Sequence, residues 1–85
     1  MIDREVNPVE WSSFMQELED ANEHLAKLIA DINSAPDYDS ANLRVDLGHV
    51  FSHLNRAWAR RDLTRDFTDE EWERASFFPN DLDPV

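Results

Sequence analysis

The run WSSFMQELEDANEHLAKLIADINSAPDYDSANLRVDLGHVFSHLNRAW, from Trp11 to Trp58, decides the fold. In its first half Trp11, Phe14, Met15, Leu18, Ala21, Leu25, Leu28, Ile29 and Ile32 recur at intervals of three to four residues. Side chains at that spacing share one side of an α-helix, so they form a single apolar stripe. Leu43, Leu47, Val50, Phe51, Leu54, Ala57 and Trp58 repeat the pattern in the second half. Between the stripes lies Asn33-Ser34-Ala35-Pro36, where asparagine tolerates a helix end and proline cannot continue one. A connection this short makes the two helices antiparallel neighbours. Their stripes then pair Phe14 with Trp58, Leu18 with Leu54, Ala21 with Phe51, Leu25 with Leu47 and Ile29 with Leu43. Small Ala21 against large Phe51 is the kind of interdigitation that dense packing needs.

The ends of each helix carry their own signals. Asn7, Pro8 and Glu10 read as N-cap, first-turn proline and capping box, with Val6 and Trp11 as a hydrophobic staple. Asp39 and Ser40 suit the start of the second helix, and Arg60-Arg61 suits its negative C-terminal end. Thr68-Asp69-Glu70-Glu71 is a capping box between Phe67 and Trp72, and it opens a short third helix that stops before Pro79. The reading is all-α: a long antiparallel helical hairpin and a short third helix in one domain, residues 1–85, expected to pair into a helical bundle. Helices are predicted at about 8–33, 40–61 and 69–77, with 78–85 as a tail. At the hairpin's open end Trp11, Phe14, Trp58, Phe67, Trp72 and Phe77 or Phe78 are expected to form one aromatic cluster.

Composition narrows the function. Eight Lys/Arg against nineteen Asp/Glu leave a net charge of −11, which repels nucleic-acid phosphates and anionic lipid. Direct nucleic-acid or membrane binding is therefore not expected. The charge is uneven, with −8 over residues 1–43, +3 over 44–65 and −6 over 66–85. No cysteine is present, which removes disulfides and thiolate metal sites. No apolar run approaches a membrane span and no secretory signal is visible, so the expected compartment is the cytoplasm. There is no Gly-rich phosphate loop and no recognisable Ser/His/Asp arrangement, so the chain is not expected to be an enzyme.

Four features invite a functional reading. Asp46, His49 and His53 fall on one side of the second helix, and His-x-x-x-His spacing lets two imidazoles meet one ion. They are candidate ligands, but a solvated helix flank is the simpler reading, and no metal or cofactor is expected. His49, His53, Arg56 and Arg60 form a basic ridge, expected to pair with acids of the first helix. Gly48, Ser52, Asn55 and Ala59 form a strip of small residues that would let another helix approach closely, as in a dimer. Glu17, Asp20, Glu23 and Asp31 make an acidic face on the first helix, read mainly as a solvated face with Glu23 pairing to Lys27.

The segment Asp66-Phe67-Thr68-Asp69-Glu70-Glu71-Trp72 resembles the opening of the Krüppel-associated box, a transcriptional repressor segment. The resemblance ends with those residues, and a capped helix start accounts for it. In size and acidity the chain is also similar to colicin immunity proteins, but the tyrosine pair before proline that marks them is absent. The expected function is that of a non-enzymatic protein-interaction module, self-associating as a dimer. The alternative is an acidic inhibitor, immunity-like or antitoxin-like, that blocks a basic nucleic-acid-binding partner.

Overall fold

The computed structural model describes residues 1–85 and contains three helices and no strand: α1 (Pro8–Ser34), α2 (Ser40–Arg60) and α3 (Asp69–Ala75). Two of the three helix starts use the caps that their sequences advertise. Asp39 accepts from the Asn42 amide at 3.0 Å, while the Asn42 side chain accepts from the Asp39 amide at 3.1 Å. Thr68 and Glu71 close the same reciprocal box on α3, at 3.2 and 2.9 Å. The start of α1 differs, because Asn7 makes no side-chain cap. A tight turn ahead of it takes over, with the Asp3 carboxylate accepting from the amides of Glu5 at 2.8 Å and Val6 at 2.9 Å. Those amides, Val6 first, hold the Asp3 carboxyl below its ordinary range.

α1 and α2 lie antiparallel along a molecule 47 Å in its longest dimension. Ala21 and Leu28 of α1 and Val50 and Ala57 of α2 are buried along the seam. The expected register is seen at the open end, where Phe14, Leu18, Leu54 and Trp58 line one groove, whereas Leu25, Ile29, Leu43 and Phe51, expected in the seam, are exposed. The core is thin. Only eight residues are buried, and three of these are the polar Glu17, Asn55 and Arg56. No helix is long and apolar enough to cross a membrane.

α3 packs on α2 alone and does not touch α1. Its C-terminal end is tied down by Asn55, which donates to the Ser76 carbonyl at 3.0 Å, and by Arg56, which donates to the Ser76 hydroxyl at 2.8 Å. This docking prevents the single aromatic cluster expected from the sequence. The rings meet guanidinium groups instead: Arg56 lies 4.3 Å over Trp72, Arg60 4.2 Å over Phe67 and Arg61 3.7 Å over Trp58. The end of α2 is rich in arginine, and a cation above a ring face is favourable. Trp11 still pairs with Phe14 at 5.6 Å, and Phe78 reaches Phe51 at 5.2 Å. The tail is pinned where Trp58 donates its indole N–H to Asp81 at 3.0 Å.

Candidate functional site

Because the apolar stripes lie off-centre, the hairpin has two unlike faces. On one, polar side chains fill the seam. Glu17 accepts from Arg56 Nε at 2.6 Å, with the two side chains only 11% and 6% exposed. Arginine can only donate, so Arg56 Nη2, 3.1 Å from His53 Nδ1, makes that nitrogen the acceptor. The proton of neutral His53 then sits on Nε2, and the 3.4 Å approach of Nδ1 to Glu17 is a contact between two acceptors. The expected pairing of the basic ridge with α1 is therefore present at Arg56. Arg60 turns the other way, to Asp66 at 3.5 Å.

One turn further along the seam the three histidines of the chain come together. His24 stacks on His49 with ring centroids 5.0 Å apart and on His53 at 5.1 Å, and His49 and His53 are 6.4 Å apart. Asp20 reaches the His53 end of the cluster, where ligand atoms of Glu17, Asp20 and His53 lie within 4.8 Å of one another. Asp46, which the sequence placed with His49 and His53, instead accepts from the Tyr38 hydroxyl at 2.7 Å. Burial, and then that hydrogen bond, push the Tyr38 phenol up to about 12.

Sequence reasoning missed His24 and Asp20 as members of this group. The signal was present: Asp20-x-x-x-His24 has the same i, i+4 spacing as His49-x-x-x-His53. In the antiparallel register Asp20 falls opposite His53, and His24 opposite His49.

The small-residue strip is divided. Asn55 is covered by the end of α3, whereas a Cβ at Gly48 would meet nothing within 4 Å. Ser52 donates to the Gly48 carbonyl at 3.0 Å and Ala59 is half-buried. Three of the four acids on α1 already have partners: Glu17 with Arg56, Asp20 with Gln16 at 2.8 Å and Asp31 with Lys27 at 2.6 Å. Lys27 thus pairs with Asp31 and not with Glu23.

The opposite face is apolar and open. Leu25 (41%), Ile29 (53%) and Ile32 (48%) of α1 are exposed beside Leu43 (37%), Phe51 (38%) and Leu54 (41%) of α2. The tail extends the surface with Phe78 (72%) and Leu82 (51%). A shallow groove of about 370 Å³, lined by Phe14, Leu18, Leu54, Trp58 and Leu82, runs into it.

Comparison with known proteins returns no matching family model, no matching curated protein and no matching solved structure. What the protein does has to be argued from these two faces.

Proposed function

We propose that this chain is a non-enzymatic helical interaction module whose partner is a second copy of itself, the two hairpins pairing through their open faces into a four-helix bundle in the cytoplasm. The observation that carries this is the exposed apolar surface along both long helices. At roughly 200 Å² for a fully exposed large apolar side chain, the eight exposures given above amount to about 750 Å². A stable interface buries about 800 Å² per partner, and a monomer seldom leaves a patch larger than a few hundred Å² in water. Two hairpins meeting on a two-fold axis present the same patch to each other.

The test is sedimentation equilibrium across a wide range of protein concentration. A monomer–dimer equilibrium is expected, with Phe51→Glu and Ile29→Glu shifting it to monomer while helicity is retained. A wild-type protein that stays monomeric at every concentration would refute the proposal. The acidic-inhibitor reading has less support, because most of the acids it would use on α1 are already engaged within the chain.

A further inference from the structure

We infer that Asp20, His24, His49 and His53 form a binding site for a divalent first-row transition ion, zinc or a close relative, clamping α1 to α2 on the face opposite the apolar one. Four observations converge on it.

The first is composition in space. The chain has three histidines, and all three meet in this one cluster although they come from two helices. The second is register. Two i, i+4 pairs face each other across an antiparallel seam, which brings His24 against His49 and His53, and Asp20 against His53.

The third observation is distance. Imidazoles sharing one tetrahedral zinc at a Zn–N distance of about 2.0–2.1 Å have ring centroids about 5 Å apart. Here the centroid separations are 5.0, 5.1 and 6.4 Å. The rings lie stacked, with interplanar angles of 30° and 19° for the two pairs that include His24. Turning them about the soft Cβ–Cγ torsion, which is broad for histidine, is the movement that coordination asks for.

The fourth is that the donor atoms are free. No hydrogen bond within the protein uses either ring nitrogen of His24 or His49, and in His53 only Nδ1 is engaged. Nε2 of His53 is left for the ion. Coordination there moves the imidazole proton to Nδ1, which then donates to Glu17 Oε1, now 3.4 Å away, and Arg56 Nη2 has to give up its 3.1 Å bond to that nitrogen. A carboxylate behind a ligating histidine is the usual way of fixing its tautomer and orientation.

Three imidazoles and one carboxylate suit zinc, nickel, copper or cobalt, and not calcium or magnesium, which want oxygen shells. Arg56 limits where the ion can sit. Its guanidinium bonds Glu17 directly, so the cation belongs on the His24 side of the cluster, with Glu17 supporting it from behind.

The site is separate from the proposed dimer face, and its test does not depend on dimerisation. Untagged protein, stripped with chelator, is titrated with Zn²⁺ by calorimetry and with Co²⁺ by visible absorption, with Mg²⁺ as the contrasting ion. One Zn²⁺ per chain, the intense visible bands of tetrahedral Co²⁺ and a higher melting temperature with Zn²⁺ alone are expected. His24→Gln removes a side chain that bonds nothing else in the protein, and should weaken Zn²⁺ binding at least about 100-fold while helicity is unchanged. Wild-type protein without saturable stoichiometric binding would overturn the inference. So would a His24→Gln variant that binds like wild type, because the ion would then rest on the His49/His53 pair of α2 alone.

Discussion

Replacing Glu17 with alanine strands a guanidinium that is 6% exposed beside an empty acceptor position. At an effective dielectric of about 20, unit charges about 4 Å apart interact by about 4 kcal/mol. Removing one member of a buried pair costs about 3–5 kcal/mol, because the survivor stays desolvated and unpaired. Arg56 keeps its bond to Ser76 and its place over Trp72, which puts the expected loss near the low end, at about 3 kcal/mol. A chain of this size holds only ~4–13 kcal/mol in total, so the loss is large. It corresponds to a fall in melting temperature of roughly 12–24 °C.

The assay is urea unfolding followed by far-ultraviolet circular dichroism, at one fixed protein concentration so that self-association does not enter the comparison. Glu17→Gln, which keeps the shape and an acceptor oxygen but loses the charge, should fall between wild type and Glu17→Ala. In a double-mutant cycle with Arg56→Met, the pair should show a coupling of about 2–3 kcal/mol, since each single change leaves a buried partner stranded. If Glu17→Ala costs less than about 1 kcal/mol, the worth of an exposed surface pair, the pair is not buried and the account of the seam is wrong.

Three other expectations follow from single residues. Gly48→Ala should stabilise the protein by about 0.8–1.0 kcal/mol, because glycine is the poorer helix former and the added methyl meets nothing within 4 Å; a loss of self-association in this variant would instead put the small-residue strip in an interface. Tyr38 is the only tyrosine, so an ultraviolet titration should show one phenol with a midpoint of about 12, and Asp46→Asn should lower that midpoint. A phenol raised above its ordinary 10.0 contributes stability that is present below pH 10.0 and lost as the pH rises through about 12. Glu71 runs the other way. Arg65, bonded to its carboxylate at 2.7 Å through both nitrogens, and the Thr68 amide lower it from 4.5 to about 2. Its contribution is therefore present above pH 4.5 and lost as the pH falls towards about 2. Arg65→Ala should raise the Glu71 titration midpoint in a carboxyl-resolved NMR experiment, and an unmoved midpoint would count against the pair.

The sequence disclosed the hairpin because two independent signals agreed. The stripes predicted that the two long helices pack on each other, and Pro36 with the caps at Asp39 and Thr68 predicted the boundaries, to within two residues. The start of α1 was misread because Asn7-Pro8 is a good local cap, while the competing Asp3 turn depends on backbone geometry that the residue types do not encode. The aromatic cluster failed for a different reason. Hydrophobicity says that Trp72 and Phe67 want cover but does not say from what, and arginine side chains supplied it. Half of the histidine cluster was legible as His49-x-x-x-His53 on one helix. The other half required the register to be applied to polar residues as well as to apolar ones, and Asp20-x-x-x-His24 does not stand out from the acids around it.

The polar seam also bears on the apolar face behind it. A seven-residue helix such as α3 is too short to hold itself in water, so its place must come from tertiary contacts. Several of those contacts run through Arg56, which reaches Glu17 on α1, the Ser76 hydroxyl at the end of α3 and the face of Trp72, beside the Asn55 bond to the Ser76 carbonyl. A leucine at position 56 would pack, but it would not orient α3, because dispersion has no direction and hydrogen bonds do. Ser76 is followed directly by Phe77 and Phe78, and Phe78 is the residue that reaches Phe51 on the open face. Asp81 then fixes Leu82 at the edge of the groove by accepting from Trp58. The order of dependence runs from the buried Glu17–Arg56 pair, through α3, to the rim of the apolar surface. A charge buried in the seam thus contributes, with Asn55 and Trp58, to holding the segment that borders the apolar surface.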